Sequence, residues 1–200
     1  MKKFIKTMFI LTCMITLAAC GSDKEETKPK DENLLSGKHN VEIIVKDMGT
    51  MKVELDADTA PITVTNFIDL VNQKFYDGLT FHRIIDGFMI QGGDPNGNGT
   101  GGSDKTITGE FANNSIENNI KHERGVLSMA RSNDNDSASS QFFIMHATAP
   151  HLDGDYAAFG HVTEGMDIVD KIVSETSVLD ENGTVAKADQ PVIETIRVIK

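Results

Sequence analysis

The sequence predicts a mainly β fold in which an antiparallel sheet closes into a barrel and α-helices cover its ends. Short apolar segments bounded by glycine, proline, asparagine or aspartate recur from residue 41 to residue 200. Only two segments, well separated from each other, carry apolar residues at helical spacing. Many strands combined with two separate helices are typical of such a barrel. The part of the chain that begins at Val41 is long enough to form one hydrophobic core.

Two strands come first, at residues 41–46 and 51–55, joined through Asp47-Met48-Gly49. The second alternates apolar and charged side chains, so one of its faces is expected to be buried. A helix follows, with Pro61 in its first turn, where proline is well tolerated. Its apolar face comprises Val64, Phe67, Ile68 and Val71.

The segment 81–94, FHRIIDGFMIQGGD, has two short apolar runs around Asp86-Gly87 and predicts a hairpin-like pair of strands. A glycine-rich loop comes next. Further strands are predicted at residues 125–130, 141–145, 157–162 and 192–199. A second, short helix carries Met166, Val169, Ile172 and Val173 at helical spacing.

The N-terminal residues 1–19 are predicted to be a signal peptide. Three lysines precede an apolar run at residues 8–19, which is too short to cross a bilayer as a helix. The run ends in Leu17-Ala18-Ala19-Cys20, which resembles a bacterial lipobox, in which the cysteine is lipid-modified and becomes the first mature residue. The alternative is an ordinary secretory signal in which Cys20 has no such role.

Residues 20–40 are predicted to be a lipidated N-terminus followed by a flexible linker. The segment is charged and poor in large apolar residues, so it cannot bury enough surface to fold. It would tether a domain comprising residues 41–200 outside the cytoplasm, anchored by lipid to a bacterial cell membrane. Cys13 lies in the leader, so a lipidated Cys20 leaves the mature domain without a thiol for disulfides, catalysis or metal binding.

The charge balance is acidic, with 19 basic and 30 acidic side chains and a net charge of −11. This balance argues against nucleic acid as a partner and against electrostatic attachment to anionic lipid. Membrane attachment would therefore depend on the lipid group itself, and a diacylglyceryl group holds more firmly than a single acyl chain.

Motifs for cofactors and metals are incomplete in this chain. Gly97, Gly99 and Gly102 fit a dinucleotide-binding pattern, but no amphipathic helix follows them. The run that begins at Asp94 matches the first half of a calcium loop, but Lys105 stands where a glutamate is needed. The six histidines include no ligand pair at helical spacing. No cofactor and no metal are expected.

Arg83 is a lone charged residue between apolar neighbours in the first strand of the hairpin-like pair. One interpretation is a surface arginine whose aliphatic stem lies across those neighbours. The other is a functional cation held beside an apolar pocket. The residue alone does not decide between them.

Six sequence blocks that occur in order along the chain favour the functional interpretation of Arg83. They are FHRIIDGFMIQGGD at 81–94, GNGTGG at 97–102, LSMAR at 127–131, SSQFFI at 139–144, LDGDYAAFG at 152–160 and EGMDIVDKI at 164–172. Together they resemble the cyclophilin family of peptidyl-prolyl cis/trans isomerases, over essentially residues 41–200. The resemblance implies a closed eight-stranded antiparallel barrel capped by two helices, and catalysis of rotation about X-Pro bonds.

The resemblance also implies roles for individual residues. Arg83 would be the catalytic arginine. Phe88, Met89, Phe143 and Leu152 would line the pocket for the substrate proline ring. Contacts to the peptide around that ring would come from Gln91, Gly99, Ala130, Arg131, Gln141, His151 and Tyr156. Strict alternation along a strand would not put adjacent Phe88 and Met89 in one pocket, so a bend or strand end is expected there.

The expected chemistry suits these residue types. Rotation about an X-Pro bond is slow because amide resonance must be broken, but no covalent bond changes. A donor aimed at the prolyl nitrogen helps, and arginine offers five N–H donors and does not deprotonate.

Three positions depart from the best-known eukaryotic pattern. His151 stands where those proteins carry a tryptophan that binds cyclosporin, so weak binding of that drug is expected. Tyr156 replaces a histidine, and Arg131 replaces an asparagine, which puts the side-chain role at that position in doubt.

The expected partners are proline-containing unfolded or exported polypeptides, and the enzyme is expected to be a monomer. The alternative is a non-catalytic module that binds proline segments on the cell surface.

Overall fold

The computed structural model of the protein describes residues 33–200. The predicted signal peptide, the lipidation at Cys20 and most of the predicted linker lie outside the described residues. Within residues 33–200, no helix is long and apolar enough to cross a membrane.

Eight strands and two α-helices make up the fold. The strands are β1 (Lys38–Val45), β2 (Gly49–Asp56), β3 (Thr80–Ile85), β4 (Met89–Asp94), β5 (Val126–Met129), β6 (Phe142–Met145), β7 (Ala158–Glu164) and β8 (Ile193–Ile199). The helices are α1 (Pro61–Asn72) and α2 (Met166–Glu175). Two short 3₁₀ turns, Ala112–Asn114 and Pro150–Leu152, were not predicted.

The strands form one sheet in the order β3-β4-β6-β5-β7-β2-β1-β8, and each neighbouring pair is antiparallel. Its two outer strands meet again through backbone hydrogen bonds. Phe81 N–H donates to the Pro191 carbonyl at 2.9 Å, and Ile193 N–H donates to the Leu79 carbonyl at 2.8 Å. The sheet therefore curls until its outer strands touch, which confirms the predicted mainly β architecture of eight antiparallel strands with two helices.

Alternation along the strands separates two apolar clusters. In β6, Phe142 and Ile144 face the main core inside the barrel, whereas Phe143 and Met145 join a smaller cluster on its outer face. Helix α1 packs its apolar side against the main core, where the Phe67 ring meets the Phe142 ring edge-on at 5.5 Å.

The first turn of α1 is capped by a distant carboxylate. The residue before the helix, Ala60, offers no side-chain cap. The buried side chain of Glu110 instead accepts hydrogen bonds from the backbone N–H groups of Ile62 at 2.9 Å and Thr63 at 2.8 Å. Burial raises the pKa of Glu110, and these donors partly offset that effect. The contact ties the helix to the loop that precedes β5.

The folded part begins before residue 41, which was the first residue of the predicted domain. Strand β1 starts at Lys38, and Leu35 packs against the main core with its N–H bonded to Thr65 Oγ1 at 2.9 Å. The sequence did not predict this earlier start, because Leu34-Leu35 is the only large apolar pair in residues 20–40.

Candidate functional site

Arg83 lies in β3 and is held by two hydrogen bonds. Its Nε donates to the backbone carbonyl of Asn182 at 2.9 Å, and its Nη1 approaches Gln91 Oε1 at 3.3 Å. Gln91 is also its cross-strand partner in β4. These contacts fix the plane of the guanidinium and leave further N–H groups free to donate elsewhere.

The segment that carries Asn182 is pressed against β3. The Gly183 N–H donates to the Asp180 carbonyl and closes a turn. The Gly183 carbonyl accepts a hydrogen bond from the Ile84 N–H at 2.8 Å. A side chain at Gly183 would collide with the Ile84 backbone, and its φ of +78° also favours glycine. Glycine at this position therefore allows the approach that brings the Asn182 carbonyl to Arg83.

Arg83 stands at the edge of a cavity of about 400 Å³. The lining consists of Arg83, Phe88, Met89, Gln91, Ala130, Arg131, Phe143, Leu152 and Tyr156. The apolar members belong to the outer cluster, so the cavity has an apolar floor on the outside of the barrel. Two cations, Arg83 and Arg131, and one amide, Gln91, make up its polar rim. We call it the Arg83 pocket.

Phe88 and Met89 share this pocket because a strand ends between them. Strand β4 begins at Met89, and Phe88 still belongs to the β3–β4 turn, where Gly87 adopts a φ of +70°. The expected strand end is confirmed. The Phe88 carbonyl also accepts the N–H groups of His146 at 2.9 Å and Ala147 at 3.2 Å, which anchors the turn to the end of β6.

The floor of the Arg83 pocket rests on a buried histidine that the sequence did not single out. The imidazole of His122 stacks on Phe143, with ring centroids 6.1 Å apart. Its nitrogens pair with Asp153 Oδ1 at 3.0 Å and with Ser128 Oγ at 3.0 Å. Burial lowers the pKa of His122, although Asp153 opposes this. Ser128 is fully buried, so this serine–histidine–aspartate chain supports the pocket and cannot reach a substrate.

A chain of amides leads from Arg83 to a second cavity. Gln91 Nε2 donates to Gln141 Oε1 at 2.9 Å, and Gln141 Nε2 donates to the carbonyls of Gly99 at 3.2 Å and Gly101 at 2.7 Å. This second cavity, of about 370 Å³, is lined by hydroxyl, amide and glycine residues together with Ala130 and Arg131. Its walls include Gln91, which it shares with the Arg83 pocket.

Arg131 is a rim residue whose guanidinium is already engaged. It lies 4.9 Å from the Tyr156 ring centroid and 5.0 Å from that of Phe111. Its Nε donates to the Asp155 carbonyl at 2.9 Å. The side chain thus clamps the loop that carries Tyr156, and it borders both cavities.

Nine of the twelve predicted site residues line the Arg83 pocket together. The other three lie beside it: Gly99 and Gln141 line the second cavity, and His151 is exposed and stacks on Phe88 with centroids 5.8 Å apart. The catalytic and binding roles of these residues stay predictions. Sequence reasoning missed Asn182 and His122, since a backbone carbonyl and a buried imidazole leave no local motif.

The chemistry available in the Arg83 pocket is donation of hydrogen bonds next to an apolar surface. Its lining contains no carboxylate, thiol or histidine that could act as nucleophile or base. Among residues 33–200, no cluster of three metal-ligating side chains occurs. Such a pocket fits a reaction that needs binding, desolvation and a fixed donor.

A family model described as cyclophilin type peptidyl-prolyl cis-trans isomerase/CLD matches residues 40–199. Among curated relatives, peptidyl-prolyl cis-trans isomerase B of Bacillus subtilis (strain 168) is 46% identical over 138 residues, which cover 69% of this chain and 92% of that protein. A peptidyl-prolyl cis-trans isomerase of Helicobacter pylori (strain ATCC 700392 / 26695) is 44% identical over 131 residues, which cover 64% of this chain and 77% of that protein.

Among solved structures, a Cryptosporidium parvum cyclophilin type isomerase crystallised in the presence of the dipeptide Ala-Pro matches with a TM-score of 0.71. The two chains are 31% identical, and the match covers 80% of this chain and 99% of the other.

Proposed function

This chain belongs to the cyclophilin-type peptidyl-prolyl cis-trans isomerases, and we propose that it isomerises X-Pro bonds at the Arg83 pocket while anchored by lipid outside the cytoplasm. The isomerase activity follows from the family. The site residues, the anchor and the exported clients are the parts proposed. Proline-containing segments of unfolded or exported polypeptides are the proposed substrates.

The apolar floor of the Arg83 pocket would take the proline ring. Phe143 and Met89 are almost completely buried and provide a dry floor, and Leu152 closes one side. A buried apolar ring is held without directional bonds, so the prolyl part stays in place while the rest of the chain rotates. Gln91 stands at the rim and can bond to the peptide backbone.

The guanidinium of Arg83 would act on the prolyl nitrogen. As the amide twists, the nitrogen lone pair localises and becomes an acceptor that the planar amide lacks. Because Asn182 and Gln91 already orient the guanidinium, little side-chain entropy is lost when it donates. Arg83 therefore stabilises the twisted state more than either planar isomer, which is what accelerates rotation.

The single observation that carries this proposal is the position of Arg83 beside the apolar floor of the pocket. Its guanidinium is held there by the Asn182 carbonyl and by Gln91. One charged hydrogen bond is worth roughly 1.5–3 kcal/mol, which corresponds to about ten- to a hundredfold in rate. The pocket and the backbone contacts must supply the remainder of any acceleration.

The test is protease-coupled isomerisation of a short proline peptide. Arg83→Ala should lower kcat/KM by about ten- to a hundredfold. Arg197→Ala is a matched control, because this exposed arginine pairs with Glu42 on β1 and lines none of the cavities described above. Full activity of Arg83→Ala would refute the role assigned to Arg83.

The alternative function, a proline-binding module without turnover, makes a different prediction in the same assay. It requires that wild-type protein binds proline peptides and leaves the isomerisation rate at background. The intact pocket and the oriented Arg83 favour the enzyme, because binding alone does not need a fixed cation at the rim.

The anchor is supported by the sequence Leu17-Ala18-Ala19-Cys20 and by the basic, apolar leader before it. In bacteria that express the full chain, the wild-type protein should sediment with membranes and incorporate labelled palmitate. Cys20→Ala should remove the label. Cys13→Ala is the matched control, since that cysteine lies inside the leader. Labelling that survives Cys20→Ala would contradict the lipobox.

A further inference from the structure

The β3–β4 turn carries Phe88, which lines the Arg83 pocket, and His146 holds this turn from outside the pocket. The Gly87 N–H donates to His146 Nδ1 at 3.0 Å. The Phe88 carbonyl accepts from the backbone N–H of His146 at 2.9 Å. The side chain and the backbone of His146 therefore hold two consecutive residues of the turn.

The position of Phe88 depends on these contacts because the turn itself is open to solvent. Asp86 and Gly87 are exposed, and Phe88 is only half-buried. A glycine backbone has more accessible conformations than that of any other residue, so a bond to the Gly87 N–H removes freedom directly before Phe88. Water can replace the imidazole at an exposed N–H, so losing that bond costs the turn its orientation more than it costs the fold its stability.

One protonation state of His146 makes these contacts, and α2 sets it. His146 Nε2 lies 3.1 Å from Asp170 Oδ1. Arg124 donates to both oxygens of that carboxylate, at 2.7 and 2.8 Å, and to the His146 carbonyl at 2.7 Å. The hydrogen bond from Arg124 lowers the pKa of Asp170, so the carboxylate is ionised and can only accept. Nε2 therefore carries the proton, and Nδ1 of the neutral ring is left to accept from Gly87.

A second proton on the ring would reverse the contact with the turn. Three charged groups face His146: Asp86 from the turn, Asp170 from α2 and Arg124 from the loop before β5. Asp86 Oδ1 lies 3.4 Å from Nδ1. A protonated ring carries N–H on both nitrogens, so it would donate to Asp86 and could no longer accept from Gly87.

We propose that His146 is a positioning residue of the isomerase, whose neutral ring holds the Gly87 N–H and thereby keeps Phe88 in place at the Arg83 pocket. The inference rests on the proposed function, in which Phe88 lines the substrate pocket. Its support is the pair of contacts from His146 to the turn and the Arg124–Asp170 pair that fixes the ring.

The test compares His146→Asn with His146→Leu in the peptide isomerisation assay. Asparagine Oδ1 can accept from the Gly87 N–H much as Nδ1 does, whereas leucine offers no acceptor. His146→Leu should lower kcat/KM about three- to tenfold, the value of one neutral hydrogen bond, and His146→Asn should stay within about twofold of the wild type. The same two changes at His161, which is exposed on β7 and lines neither cavity, are matched controls and should have no effect. Urea unfolding verifies that each variant is folded.

Two further readouts separate positioning from general stability. Across the range in which histidines change charge, about pH 5 to 8, kcat/KM of the wild type should fall more steeply on the acid side than that of His146→Asn, which lacks the titrating ring. In protein labelled with ¹⁵N-histidine, His146 should show the tautomer protonated at Nε2. Asp170→Ala removes the acceptor that selects this tautomer and should give a mixture of both.

The outcomes distinguish this inference from the proposed function. If His146→Asn and His146→Leu change kcat/KM equally, or if the two acid limbs coincide, the positioning role is refuted while the isomerase stands. A wild-type ring protonated at Nδ1 would also refute it. If the wild type binds the peptide without turnover, the isomerase proposal fails. The positioning role then stands only if His146→Leu weakens peptide binding and His146→Asn does not.

Discussion

The imidazole of His122 lies nearly parallel to the ring of Phe143, with the planes 19° apart and the centroids 6.1 Å apart. Phe143 forms the floor of the Arg83 pocket, and His122 lies behind it. His122 is itself fixed by Asp153 and Ser128. The shape of the pocket therefore depends on a hydrogen-bonded network that no substrate touches.

His122→Ala should weaken both stability and catalysis. The change removes the ring that supports Phe143 and leaves the buried Ser128 hydroxyl without its partner. We expect a loss of roughly 2–4 kcal/mol in unfolding free energy and about a tenfold lower kcat/KM. Urea unfolding and peptide isomerisation measure the two effects. A stable variant with wild-type kcat/KM would show that Phe143 needs no support.

Glu110→Ala should destabilise the fold without altering the site. The backbone N–H groups of Ile62 and Thr63 would lose their acceptor at the start of α1. The expected cost is about 2–4 kcal/mol, measured by urea unfolding. Glu110→Gln keeps one acceptor oxygen and should lose less. Since Glu110 lines neither the Arg83 pocket nor the second cavity, kcat/KM of the folded fraction should stay at the wild-type value.

His82 should contribute to the pH dependence of stability. Burial lowers its pKa in the folded protein below the unfolded value of about 6.5. As the pH falls below that value, the unfolded chain takes up a proton that the folded chain resists, so stability is present above about pH 6.5 and is lost on the acid side.

His82→Phe removes this titration while it keeps a buried ring. The unfolding free energy of the wild type, followed by urea unfolding at a series of pH values, should fall more steeply below about pH 6.5 than that of the variant. If the unfolding free energies of the two proteins change in parallel with pH, His82 is protonated equally in the folded and unfolded states, which contradicts the prediction.

Cyclosporin should bind weakly to the wild-type protein, and His151→Trp should strengthen binding. His151 is exposed and stacks on Phe88. The resemblance to cyclophilins implies that His151 stands where the best-known eukaryotic members carry a tryptophan. A tryptophan there offers a larger apolar face and an indole N–H donor. We expect at least about a tenfold gain in affinity, measured by inhibition of peptide isomerisation. Tight inhibition of the wild type would refute the prediction.

Much of the fold could be predicted because its signals are local. Alternating side chains mark β2, and the spacing of Val64, Phe67 and Val71 marks α1. The ends of the strands were predicted less accurately. Strand β1 begins three residues before Val41, because pairing with β2 extends it to Lys38 although its first residues are polar. Local composition could not reveal that pairing.

The sequence by itself determined the residue types of the site, because the ordered blocks identify the family and place Arg83, Phe143 and their companions in it. The tertiary structure decided what holds them. Asn182 lies 99 residues after Arg83 and contributes only a backbone carbonyl. His122 reaches Phe143 only because the loops around β5 and β7 close on the outer face of the sheet. Contacts made through the backbone, or between distant segments, depend on the curled sheet and leave no pattern in the chain.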